Sequence, residues 1–117
     1  MENEISKEIE RLQIQIGCII RLGRLKKGLS QLDLALKFGS NSTLIGRIER
    51  GETISGWDKI YILIKALEIK INDLFILKSK DELLNIVADS KKLEQKLTKE
   101  KAKYYLSLQE SIKELFE

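Results

Sequence analysis

The stretch GSNSTLIGRIERG, residues 39–51, holds the side chains best suited to recognition chemistry in this sequence. Asn41, Ser42 and Thr43 carry amide and hydroxyl groups that can hydrogen-bond to base edges or phosphate oxygens. Arg47 carries a planar guanidinium that matches guanine O6 and N7. Two readings fit these residues: a helix whose polar first turn enters a nucleic-acid groove, and an ordinary amphipathic helix in a small bundle. Catalysis has less to work with. There is no histidine, so the commonest general base and the commonest metal ligand are both missing. Glu49 and Glu52 are the nearest approach to a carboxylate pair, and no glycine-rich phosphate loop occurs. Cys18 is the only cysteine, so no intrachain disulfide can form. No enzyme activity, metal or cofactor is expected.

These residues must be positioned by helices. Leu, Ile, Lys and Glu dominate the 117 residues, and there is no proline. That set favours helix over strand. An apolar fraction of 43% allows one core, and 33% charged residues suit an all-α chain in water. No apolar run approaches the ~20 residues of a membrane span. The N-terminal MENEISKEIERL lacks the basic start and apolar middle of a signal peptide, so a cytoplasmic location is the default expectation. The net charge is +3, unevenly spread: −2 over residues 1–14, +4 over 15–75 and +1 over 76–117. The middle segment mildly suits an anionic partner.

Ile5, Ile9, Leu12, Ile16 and Ile19 recur at steps of 4, 3, 4 and 3, a two-heptad seam on a first helix that stops at Gly28. Gly17 and Gly23 weaken that helix but let another helix approach closely. Ser30 and Asp33 form a capping box for a second helix with Leu32, Ala35, Leu36 and Phe38 as its buried stripe. Gly39 ends it. The third helix is capped by Ser40 or Asn41, buries Leu44, Ile45 and Ile48, and stops at Gly51. Two helices of about two turns separated by a few residues have the spacing of a helix-turn-helix. After the loop ETIS, Ser55 and Asp58 open a fourth helix with Trp57, Ile60, Tyr61, Leu63, Ile64 and Leu67 as a packing face. A fifth begins at NDLFIL. Beyond Lys78, Ile86, Leu93, Leu97, Tyr104, Leu108 and Leu115 fall at steps of 7, 4, 7, 4 and 7, an eleven-residue period close to a straight helix. Asn85 and Ser90 are candidate breaks. Such a stripe needs a partner surface.

The residues IIRLGRLKKGLSQLDLALKFGSNSTLIGRIERGE, followed by IYILIKALEIKINDLF, resemble the lambda-repressor-like, Cro/CI-type (XRE) helix-turn-helix family over roughly residues 16–76. The resemblance implies an all-α, five-helix DNA-binding domain over 16–76, with 1–15 as an N-terminal extension of its first helix and 77–117 as a C-terminal helical segment for assembly or interaction. It implies that the third helix lies in the major groove of double-stranded DNA with Asn41, Ser42, Thr43, Gly46 and Arg47 toward the bases. Gln31 matches the family's phosphate contact at the start of the second helix, and Arg50 and Thr53 match the segment that grips the backbone on the other side. Arg24 and Glu49 match a structural ion pair. Three departures bear on affinity: glycine at 46, Lys70 where a serine usually caps the fifth helix, and the negative Glu52 beside the phosphate grip.

The resulting expectation is a sequence-specific transcriptional regulator, a repressor by preference, acting as a dimer or higher oligomer. Ile5, Ile9, Leu12, Leu93, Leu97, Tyr104 and Leu108 are its expected assembly residues, against the plainer alternative that both stripes fold back on their own domain. A regulatory protein partner is compatible with this. The competing reading is an adaptor or antitoxin-like interaction module with secondary DNA binding. Trp57, Tyr104 and Tyr105 are expected to pack, Cys18 to be buried and inert, and the lysines of 91–103 to form a solvated face.

Overall fold

A computed structural model describes residues 2–53 and 55–117. Met1 of the expected N-terminal extension and Ile54 of the expected ETIS loop lie outside the described residues. The elements are α1 (Glu2–Lys26), α2 (Gln31–Lys37), α3 (Ser42–Glu49), α4 (Trp57–Ala66), α5 (Ile71–Phe75), α6 (Lys80–Leu93) and α7 (Lys99–Leu115), with no strand among the described residues.

Two apolar clusters share α1 as a common wall. Ile16, Ile19 and Ile20 of α1 meet Leu34 and Ala35, Ile45 and Ile48, Ile60, Leu63 and Ile64, Leu67 and Leu74, so α1 to α5 build the first cluster. Cys18, on another side of α1, meets Leu83 and Val87 of α6 and Tyr105, Leu108 and Ile112 of α7. The middle of α1 is therefore buried on two faces, and residues 15–21 are all covered. Gly17 permits one of these contacts: a Cβ there would lie 2.5 Å from the Ile48 carbonyl oxygen and 2.6 Å from that of Glu49. Gly23 similarly faces Ile69, at 3.1 Å. The expected approach of another helix thus occurs at Gly17, where α3 comes close, while the neighbour of Gly23 is the connector between α4 and α5.

Local signals set most helix ends. Gly28, Gly39 and Gly51 adopt φ of +68°, +65° and +69°, a left-handed conformation that a Cβ would strain. The Ser30–Asp33 capping box is present in full, and a second, Ser79–Glu82, opens α6. Lys70 gives α5 no side-chain cap, in keeping with the departure noted in the sequence.

Four expectations need correction. Leu32 and Leu36 are exposed, at 56% and 73%, while Leu34 and Ala35 are buried and Phe38 packs partly beside them. Positions 34, 35 and 38 are one face of a helix; 32 and 36 stack on another, and only one face of α2 meets the core. The Ser55–Asp58 cap does not form, because α4 starts at Trp57 with Gly56 as its cap residue, one position after the serine. Trp57 projects outward at 83% exposure and Tyr61 at 45%, so Ile60, Leu63, Ile64 and Leu67 carry the packing. Finally, the C-terminal stripe is not one continuous face. The break comes at residues 94–98, with Thr98 capping α7, rather than at Asn85 or Ser90. The chain then doubles back, bringing the Tyr105 hydroxyl onto Glu94. Buried positions follow ordinary steps of four and three within each helix: Leu83, Val87 and Ser90 in α6, then Tyr105, Leu108 and Ile112 in α7.

Buried Gln15 fastens the two halves. Its Nε2 donates to the carbonyls of Leu74 (3.0 Å) and Ile76 (2.8 Å), and its Oε1 accepts from the Lys78 amide (2.9 Å). The segment linking α5 to α6 has no helix partner for these groups, so the buried amide satisfies them. One turn before Gln15 on α1, Arg11 donates to the Leu115 carbonyl (Nη2 at 3.0 Å) and lies 4.3 Å over the Phe116 ring, holding the end of α7.

Candidate nucleic-acid interface

The eight residues of α3 divide cleanly by face. Ile45 and Ile48 enter the first cluster, while Thr43 and Arg47 stand exposed. Asn41, also exposed, caps the helix: its Oδ1 accepts from the Leu44 amide at 2.8 Å. Its side-chain NH2 stays available to donate. Ser42 is half-buried. Among the described residues, Arg47 has no carboxylate within ion-pair distance, so its charge is open to solvent.

Gly46 differs from the outward-facing backbone expected of it. It is buried, and a Cβ there would lie 3.0 Å from Arg50 Nη1 and 3.3 Å from Gln31 Oε1. The glycine makes room for these two side chains to cross the surface of α3. Gln31 is anchored there, donating from Nε2 to Glu49 Oε1 at 3.1 Å. Arg50 is held from its other side by Glu52, with Nε at 2.9 Å and Nη2 at 2.8 Å from Oε2. The same bond holds the exposed Glu52 carboxyl below its ordinary range. Thr53 is half-buried beyond Gly51, whose carbonyl accepts from Gln13 Nε2 at 2.7 Å. This surface thus presents exposed Asn41, Thr43 and Arg47 beside Gln31 and Arg50, each held by its own carboxylate.

Beneath the surface lies a buried ionic cluster. The Glu49 side chain is fully enclosed, and Arg24 grips it in two-pronged fashion, Nε to Oε2 at 2.7 Å and Nη2 to Oε1 at 3.0 Å. Arg24 Nη1 also donates to the Leu29 carbonyl at 2.8 Å, tying in the turn before α2. Sequence reasoning found this pair but missed Arg21. Arg21 Nη2 donates to the Glu49 carbonyl at 2.6 Å and to the Tyr104 hydroxyl at 2.9 Å, and its guanidinium lies 4.9 Å from the centre of the Tyr104 ring. Burial opposes its charge, but Tyr104 and Glu49 outweigh that, and its pKa is raised further. The signal was indirect: a basic residue ending a run without charge, Leu12–Ile20.

Burial raises the Tyr104 and Tyr105 hydroxyl pKa values, and the Glu94 carboxylate adds to the effect at Tyr105. Burial likewise pushes the Cys18 thiol up to about 11. The expected assembly residues separate in the structure. Ile5, Ile9, Leu93 and Leu97 are exposed, whereas Leu12, Tyr104 and Leu108 pack within the chain.

An open groove of about 700 Å³ borders the interface. It is lined by Gln31, Ser42 and Arg50 and, from the junction of α6 and α7, by Glu94, Glu100 and Lys101. No helix among the described residues is long and apolar enough to cross a membrane.

Comparison with known proteins gives two matches. A family model described as Helix-turn-helix matches residues 20–74, from the last turns of α1 into α5. The Endothelial differentiation-related factor 1 homolog of Danio rerio is 32% identical over 83 residues, covering 71% of this chain and 53% of that protein. The chain therefore spans about half the length of this curated relative. No solved structure matches the chain.

Proposed function

Residues 20–74 belong to the Cro/CI-type helix-turn-helix family, and from that premise we propose that the protein is a sequence-specific regulator of transcription that inserts α3 into the major groove of duplex DNA. The observation that carries this is the exposed edge of α3. Asn41, Thr43 and Arg47 face solvent on a short capped helix whose other face is fixed in the core. The first turn of such a helix can reach base edges, and an arginine one turn on can read guanine. Gln31 and Arg50 would contact phosphates, which place the protein without reading sequence. Ser42 and Thr53 would make further groove and backbone contacts. The Arg24–Glu49 pair acts from behind, holding Gln31 and the end of α3 in one arrangement.

Repression follows if the bound site overlaps a promoter. A dimer would double the contacts and read two half-sites about 34 Å apart or a multiple of it. Its interface would use surfaces the chain leaves uncovered, such as Ile5 and Ile9. One observation favours a second reading, a protein-interaction module: Trp57, Tyr61 and Ile62 of α4 form an exposed apolar group.

Salt dependence separates the two readings. A DNA-binding protein loses affinity for duplex with a slope of about −0.9 in log K against log salt per neutralised phosphate. A slope of several units supports DNA binding. A flat response with weak retention of any duplex would reject it and favour the interaction module.

A further inference from the structure

We propose that the turn joining α6 and α7 is a second DNA-backbone grip, whose lysines hold the strand that passes Gln31 and Arg50; this rests on the reading of α3 as the DNA-binding helix.

Position is the first argument. Glu94, Glu100 and Lys101 of the turn line one continuous groove with Gln31, Ser42 and Arg50. Residues 96 and 99 lie in or beside the turn that borders it. A polyanion laid against Gln31 and Arg50 must run alongside this turn.

Charge is the second. Residues 91–103 hold Lys91, Lys92, Lys96, Lys99, Lys101 and Lys103 against two glutamates, a net +4 in thirteen residues of a chain whose total is +3. All six lysines are exposed. One of the two opposing carboxylates is turned inward: the Glu94 side chain is 8% exposed, accepts from the Tyr105 hydroxyl, and lies 3.3 Å from Lys101 Nζ. Arg50 is paired with Glu52 as Lys101 is with Glu94, which leaves the five other lysines of the run without a carboxylate within ion-pair distance among the described residues. Phosphate neutralisation by Lys and Arg supplies most of the sequence-independent affinity for DNA. Here the turn offers its net +4, whereas residues 31–53, spanning α2 and α3, balance three basic residues against three acidic ones.

Rigidity is the third. Thr98 caps α7 through its Oγ1, which accepts from the Lys101 amide at 3.1 Å, and the Tyr105–Glu94 bond closes the turn from inside. The lysines are therefore displayed on a fixed bend and not on a loose tail, which reduces the ordering entropy lost on binding. Continuity with the Gln31–Arg50 edge makes duplex DNA the occupant, in preference to an acidic protein.

The test uses the full chain and a mixed-sequence duplex, with binding measured across a salt series. The variant K96Q/K99Q/K101Q, of which Lys101 lines the groove and the other two flank it in the turn, is compared with a control of equal charge change, K7Q/K80Q/K113Q, at exposed positions outside the turn. Melting curves confirm that both fold. The expected result is a salt slope shallower by up to about 2.7 for the turn variant, with affinity lower on the order of ten-fold at low salt, and a smaller change in the control. Base preference should stay unaltered. If the wild-type chain binds and the turn variant matches the control, the second grip is overturned while DNA binding by α3 stands. Tighter binding by the turn variant would also overturn it, since the turn would then obstruct the strand. If the wild-type chain binds no duplex at low salt, both readings fall together.

Discussion

Replacing Glu49 by glutamine removes one charge and almost no volume, so it isolates what the buried carboxylate does. In the native protein that group accepts from Arg24 Nε and Nη2 and from Gln31 Nε2, with Arg21 Nε 3.6 Å away. Glutamine can present one oxygen to these donors. Its NH2 must point at an arginine N–H, donor against donor. Two arginines then remain nearly buried, at 5% and 7% exposure, without a counter-charge. Removing one partner of a buried ion pair costs about 3–5 kcal/mol. The upper half of that range applies here, because two cations lose the same anion. A chain of this length has total stability on the order of 6–17 kcal/mol, so the variant still folds at 25 °C. Urea denaturation of wild type and E49Q should show a lower midpoint at an unchanged slope against denaturant. DNA affinity should fall too, because Gln31 loses its anchor. A stability loss under ~1 kcal/mol would refute the reasoning. It would mean that water or relaxation already screens the arginines, and that Glu49 does not organise the interface.

Three further outcomes follow from the same geometry. R47A should keep wild-type stability, since the side chain is exposed, but lose about 1–3 kcal/mol of binding and relax base preference at one position, measured by competition with single-base variants of a bound site. Q15L keeps the volume of a buried side chain but leaves the Leu74 and Ile76 carbonyls and the Lys78 amide without their partner, so it should cost about 3 kcal/mol or more and increase hydrogen exchange at Lys78. Stability should also decline at high pH. The unfolded Cys18 thiol gives up its proton near its ordinary value of 9.0 while the folded one keeps it to about 11. That contribution is fully present below pH 9 and is lost as pH rises toward 11. Melting temperatures of wild type and C18A across this window check it, the variant falling less steeply.

The glycine stops at 28, 39 and 51, the cap at Ser30 and, narrowed to Ser40 or Asn41, the cap of α3 were legible because each is a local signal: a φ only glycine adopts easily, or an oxygen within reach of an amide three residues on. The Arg24–Glu49 pair was legible only through family resemblance, since nothing local links residues 25 apart. What failed was mostly orientation. Leu32 and Leu36 were assigned inward because they are apolar, but a seven-residue helix beside a turn has one covered face, and Leu34 and Ala35 take it. Trp57 was assigned to packing for the same reason. The C-terminal stripe misled more deeply. An eleven-residue period assumes one unbroken helix, and the chain bends at 94–98. The clue to its real partner lay elsewhere, in the uncharged run Leu12–Ile20 of α1. A helix without charge on any side over two turns is covered on more than one face, and here α6 and α7 supply the second cover.

The most direct test of DNA reading by α3 is selection of bound duplexes from a random-sequence pool, using the full chain at near-physiological salt and R47A in parallel. Wild type should enrich a defined site, and R47A should lose preference at one base of it while retaining the rest. Recovery of no enriched sequence, or of the same sequence with equal preference by both proteins, would contradict the assignment of this edge to base recognition.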